Sequence, residues 1–103
     1  MKAIMMFRGH GIIGGVFSSR EKAIECLKEF IEKHNDDVSK GADIYENCIQ
    51  IWYQYSKVHM VFEEVEMDSS DMQRVNITSE LIPEIIKILE EYNWFPNDKR
   101  DDH

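Results

Sequence analysis

The sequence predicts an α+β domain: an antiparallel sheet of four to five strands with two helices packed on one face, in the order ββαββ(β)α. Three observations predict it. Short β-compatible runs bounded by turn residues occur in pairs, within 2–17 and within 44–67. Two other segments repeat apolar residues at helical spacing. Each of these follows a strand pair, although the two halves do not align as an internal repeat.

Met1 to Phe7 is an apolar run and reads as the first strand. Arg8-Gly9-His10-Gly11 supplies turn chemistry, because glycine tolerates positive φ. Ile12-Ile13 and Val16-Phe17 flank Gly14-Gly15, which reads as a second strand with a glycine bulge. Ser18 and Glu21 have the spacing of a capping box and open a helix over about 19–34. Ala23, Leu27 and Ile31, with Ile24 and Phe30, form its apolar stripe.

Residues 44–55 alternate. Ile49, Ile51, Tyr53 and Tyr55 share one parity, and Gln50, Trp52 and Gln54 the other. Ser56-Lys57 is the expected turn. The next strand, 58–67, switches its apolar parity between Phe62 and Val65, which predicts a bulge near Glu63-Glu64. Val75 and Ile77 suit a short edge strand. A second helix is expected to begin between Ser79 and Pro83, since proline is tolerated in a first turn. Ile82, Ile85, Ile86, Leu89 and Tyr92 form its stripe, and Asn93-Trp94-Phe95-Pro96 ends it. Residues 1–96 are read as one domain and 97–103 as a charged, disordered tail.

The chain has 103 residues, with 43% hydrophobic and 11% aromatic content, enough for one modest core. No apolar run approaches the roughly 20 residues of a membrane span, and Ala3 to Phe7 is too short for a signal-peptide core. Cys26 and Cys48 are too few for a disulfide scaffold and suit a reducing compartment, so a cytoplasmic location is expected.

Charge is unevenly placed. Residues 1–57 hold 8 Lys/Arg and 8 Asp/Glu, whereas 58–103 hold 4 and 12, which accounts for the whole net charge of -8. That sign argues against binding duplex nucleic acid and favours a basic protein partner. Glu63, Glu64, Glu66, Asp68 and Asp71 precede any base and form the candidate partner-binding cluster. Trp52 joins it, because its parity places it away from the helices unless Trp94-Phe95 folds back over it.

The only basic cluster beside flexible glycines is Arg8, Gly9, His10, Gly11, Arg20 and Lys22, the alternative site for a nucleotide or other small anion. Gly9 to Gly14 matches G-x-G-x-x-G, but a hairpin strand follows it rather than a helix, so no dinucleotide site is expected. The four histidines and two cysteines show no metal-ligand spacing, and no nucleophile, base and orienting group stand together. Neither metal, cofactor nor enzymatic activity is therefore expected, with a small enzyme kept as the last alternative. Open sheet edges at 58–67 or 75–77 leave a homodimer available.

The junction Gly15-Val16-Phe17-Ser18-Ser19-Arg20-Glu21-Lys22-Ala23 and the later run Phe62 to Asp68 resemble a group of small uncharacterised phage and bacterial domains. Those share a "GVFSS-x-E-x-A" strand-to-helix junction and a later acidic strand. The resemblance covers about half of the chain and implies no catalytic residue. It implies no known activity; a small acidic protein of phage type suggests by its type, and not by a motif, an accessory factor such as an inhibitor of a host defence or nucleic-acid-processing protein. A small acidic binding module is accordingly the leading expectation.

Overall fold

The longest strand organises the sheet. In the computed structural model, which describes residues 2–9, 11–66 and 73–100, β1 (Lys2–Arg8), β2 (Ile12–Phe17) and α1 (Arg20–Lys33) come first. They are followed by β3 (Gly41–Ile44), β4 (Ile49–Tyr53), β5 (Ser56–Glu66), β6 (Arg74–Asn76), α2 (Thr78–Glu91) and β7 (Asn97–Asp98). The strand order is β2-β1-β5-β4-β3-β7, and β6 pairs with β5 as well. Every pairing is antiparallel except β3 with β7. The α+β class and the two helices are as expected. The described residues form seven strands rather than four to five.

Alternation assigns each strand residue to a face. Ile4, Met6, Ala42, Ile44, Ile49, Ile51, Met60 and Phe62 point to the helices and form one buried cluster with them. From α1 come Ala23, Leu27 and Ile31; from α2 come Leu81, Ile82, Ile85, Ile88 and Leu89. Among the described residues, the other sheet face carries no helix.

Several local expectations are corrected. Residues 44–55 are not one strand: β3 and β4 form a hairpin, closed by the Tyr45 N–H to the Cys48 carbonyl at 2.9 Å. The helix cap is Ser19, whose hydroxyl accepts from the Lys22 N–H at 3.2 Å, not Ser18 with Glu21. No bulge interrupts β5, whose register with β1 runs unbroken from Met60 to Glu66. The apparent parity switch arises because Val65 is buried on the helix-free face while Glu64 and Glu66 take the helix side. The strand expected to offer an open edge is therefore central, paired on both sides. The glycine bulge in β2 is present: Gly15 faces Met6 and Ile13 faces Phe7, which leaves Gly14 as the extra residue.

The turn after β4 lies at Gln54-Tyr55, two residues before the expected Ser56-Lys57. Both residues have positive φ, 51° and 60°, as a two-residue hairpin of the type I′ class requires. Neither is glycine or asparagine, so the sequence carried no signal for it. The loop 37–39 supplies the restraint instead, as described below.

α2 begins at Thr78, one residue before the expected range, so Pro83 lies inside the helix. It deprives the Ser79 carbonyl of its intrahelical donor, but Ser79 and Pro83 are both at the surface, where water can serve. Thr78 is buried and donates or accepts against β5: its Oγ1 takes the Phe62 N–H at 2.9 Å. The helix ends in a Schellman arrangement. Trp94 N–H donates to the Leu89 carbonyl at 2.8 Å and Asn93 N–H to Glu90 at 3.1 Å, with Asn93 at φ 61°. This turn drives Trp94 into the helix-side core. Asn97-Asp98, expected to begin the tail, pairs with β3, and Lys99 N–H donates to the Ile44 carbonyl at 2.8 Å.

Candidate functional site

Period-two alternation splits the acidic run. Glu63 points to the helix-free face, where the Arg74 Nε donates to it at 2.7 Å. Glu64 points to the helix side and meets Lys2 and Arg20, each at 3.4 Å. Glu66 shares the side of Glu64. Asp68 and Asp71 lie outside the described residues. The run is thus divided between two faces, and Glu63 and Glu64 are already neutralised. The exposed acids of α2 outside these ion pairs, Glu84, Glu90 and Glu91, carry much of the outward negative charge instead.

The basic candidates are also separated. Arg8 ends β1 on the helix side, opposite Met60. Its Nη2 donates to the Tyr53 hydroxyl at 3.3 Å, and its guanidinium lies 5.9 Å from the Phe30 ring centroid. Gly14 makes room for it, since a Cβ there would come within 2.6 Å of Arg8 Cδ. Arg20 sits at the start of α1 and holds Glu80 at 3.2 Å as well as Glu64. Glu64 is four residues from Met60 along β5, about 13 Å at strand rise. Lys22 is exposed in the first turn of α1. Gly9 and Gly11 take positive φ, 57° and 81°, and the Gly9 N–H is spent on the His59 carbonyl at 2.8 Å. His10 lies outside the described residues. Arg8 and Arg20 therefore do not converge on one anion.

Around Arg8 the structure builds a cluster that the sequence did not reveal. Phe30, His34 and Tyr53 meet pairwise in tilted or edge-to-face contacts, with centroids 4.7–5.1 Å apart. They come from the C-terminal half of α1 and the end of β4, elements distant in the chain. Cys26 lies beside them at the lip of a cavity of about 110 Å³ with Arg8, Phe30 and Met60. Burial pushes the thiols of both Cys26 and Cys48 up, so neither is primed as a thiolate. Among the described residues no group of three or more His, Cys, Asp or Glu is placed to hold a metal.

Trp52 is the sequence candidate that the structure places most informatively. It lies on the helix-free face and is 41% exposed, while Trp94 is buried on the opposite side and does not cover it. The Lys57 ammonium stands 5.3 Å from the Trp52 ring centroid. Tyr55, at the tip of the adjoining turn, is 86% exposed. Trp52, Tyr55, Ser56, Lys57 and Ser39 border an open hollow of about 400 Å³.

The turn that presents Tyr55 is held from outside its own hairpin. Asp37 Oδ2 accepts from the Gln54 N–H at 2.6 Å, and Ser39 Oγ accepts from the Tyr55 N–H at 2.9 Å. Asp37 Oδ1 in turn accepts from the Ser39 N–H and hydroxyl at 2.8 and 2.6 Å. These bonds compensate the positive φ of two ordinary residues, which side chains normally disfavour. The signal in the sequence was only Asp37-x-Ser39, an Asx-type turn whose distant partner could not be read.

Beyond Trp52, the same face carries His59 and Gln50, whose ring and amide nitrogens lie 3.2 Å apart, and Phe7 beneath the Arg74 guanidinium at 4.8 Å. Met5, Val61, Ile13 and Val16 add an apolar strip along β1, β5 and β2.

No protein-family model matches the chain, and no curated protein or solved structure matches it significantly. No helix among the described residues is long and apolar enough to cross a membrane.

Proposed function

We propose that this chain is a non-enzymatic protein-binding module whose contact surface is the helix-free face of the sheet, anchored by Trp52 and Tyr55. One observation carries the reading: Tyr55 stands 86% exposed beside the exposed Trp52, on a strained turn clamped by Asp37 and Ser39. Rigid aromatics lose little conformational freedom on binding and concentrate at binding hot spots. Strain maintained by bonds from a separate loop supports a role beyond folding. The net charge of -8 would steer a partner with a basic surface, with the exposed acids of α2 contributing to the field. The finer reading, a phage-type accessory inhibitor of a host defence or nucleic-acid-processing protein, is an inference from the type of small acidic protein and from no motif in the chain.

For the small-anion alternative, Arg8 and Gly9 border a hollow of about 480 Å³ with Lys57 and His59, whereas Arg20 is engaged by Glu64 and Glu80 at the other end of the strand. Native mass spectrometry of gently purified protein separates the readings. An added mass of a few hundred daltons, lost on denaturation, would replace the protein-binding proposal. Capture of proteins from a lysate on the immobilised chain supplies the direct test. A basic protein should be retained at low salt, and Trp52→Ala should weaken its retention by roughly tenfold or more. Equal retention by Trp52→Ala and Tyr55→Gly overturns the proposal.

A further inference from the structure

β2 is an edge strand that keeps one of the usual protections, a β-bulge, and lacks two others. Among the described residues it pairs with β1 alone, and its sequence, Ile12-Ile13-Gly14-Gly15-Val16-Phe17, contains no charge and no proline. Those are two of the devices by which edge strands avoid pairing with other chains. Ile12, Ile13 and Val16 are 65%, 55% and 55% exposed, so apolar side chains flank the open edge on both faces.

We infer that β2 pairs antiparallel with β2 of a second copy, joining two sheets into one across a two-fold axis between Gly14 and Gly15. The bulge makes this register self-complementary. Opposed residues in an antiparallel pair share a face. Ile13 lies opposite Phe7 and Val16 opposite Met5, so both point to the helix-free face despite being three residues apart. Ile12 and Phe17, opposite Arg8 and Ile4, both point to the helix side. A two-fold between the glycines therefore sets Ile13 against Val16 of the second copy, and Ile12 against its Phe17. A regular strand would bring opposite faces together in that register; the extra residue at Gly14 corrects the parity.

Charge permits the pairing. α1, the helix packed beside β2, carries Arg20, Lys22, Lys28 and Lys33 against Glu21, Glu25, Glu29 and Glu32, which cancel. The excess acid belongs to residues 58–103, whose nearest strand, β5, is separated from β2 by β1 and has Glu63 and Glu64 paired with cations. Two copies would thus meet at their least charged edge. A second copy is favoured over an unrelated extended segment because the register matches apolar residues to one another at all four positions.

Sedimentation velocity from low-micromolar to near-millimolar protein tests this. The expected result is a shift from 12.2 kDa toward twice that mass. Ile13→Lys and Val16→Lys should each hold the chain at one copy, whereas Val75→Lys on β6 should not. If a lysine variant fails to fold, Ile13→Thr with Val16→Thr keeps strand propensity and should shift association to higher concentration. Amides of 12–17 should gain hydrogen-exchange protection as concentration rises. A single copy at every concentration overturns the inference and leaves the edge to an extended segment of another protein. A dimer that survives the lysine variants also overturns it. Trp52→Ala leaves this equilibrium unchanged, so its outcome is separate from that of the binding proposal.

Discussion

The carboxylate of Asp37 accepts a hydrogen bond from the backbone N–H of Gln54 at 2.6 Å, across 17 residues of chain. Together with Ser39 it holds a turn in which Gln54 and Tyr55 both take left-handed φ. Stability and exposure of Tyr55 are therefore opposed at one position. Tyr55→Gly removes a side chain from a conformation that glycine adopts freely, and should change stability by about 1 kcal/mol or less, in the favourable direction. The same substitution should weaken capture of the partner. Thermal melts and binding measured on one preparation check both signs, and a loss of stability would mean that the turn is not strained.

Asp37 should also mark the acid limb of stability. Hydrogen bonds from the Ser39 hydroxyl, the Ser39 N–H and the Gln54 N–H hold its carboxyl below the ordinary range. A depressed folded-state pKa adds stability that is present above the unfolded value, about 3.9, and is lost as pH falls through the lower folded value. Asp37→Asn should lower the melting temperature at neutral pH and flatten its decline below about pH 4. Parallel melting curves for the two proteins across that range would refute the assignment.

The C-terminal ends of the two helices are joined by Tyr92, whose hydroxyl donates to Glu32 Oε1. That bond, with burial and the nearby carboxylates, pushes the phenol up to about 12. A raised folded-state pKa contributes stability that is complete below the unfolded value near 10 and disappears as pH rises through the folded value. Ultraviolet titration should show the Tyr92 phenol ionising only near pH 12, and Glu32→Gln should return it toward about 10. Identical titrations of the two proteins would remove the bond.

The two tryptophans should separate cleanly. Trp52 is exposed and Trp94 is fully buried, with an indole N–H that meets no acceptor among the described residues. Acrylamide should quench one emission component strongly, and Trp52→Phe should remove it. Because a buried unpaired N–H costs about 1–3 kcal/mol, Trp94→Phe should destabilise by only about 1 kcal/mol. Trp94→Ala leaves a cavity and should cost about 3–5 kcal/mol. Equal losses for the two variants would mean that the indole N–H has a partner.

Local chemistry along the chain determined much of this protein. Apolar period identified both helices, the β1-β2 hairpin with its glycine bulge, and the parity that sets Trp52 opposite Ile49 and Ile51. Those patterns are written in residues close together, so they survive without knowledge of the fold. The tertiary structure decided what distant residues do to one another. It moved the hairpin turn to Gln54-Tyr55, because Asp37 and Ser39 supply bonds that no neighbouring residue announces. It made β5 central, because strand order is set by which apolar faces can share a core. It also divided Glu63 from Glu64, giving each a cation on a different face. A run of like charge in a strand is contiguous only in sequence; the pleat sends alternate side chains to opposite sides, and the partners waiting there decide whether the charge remains free.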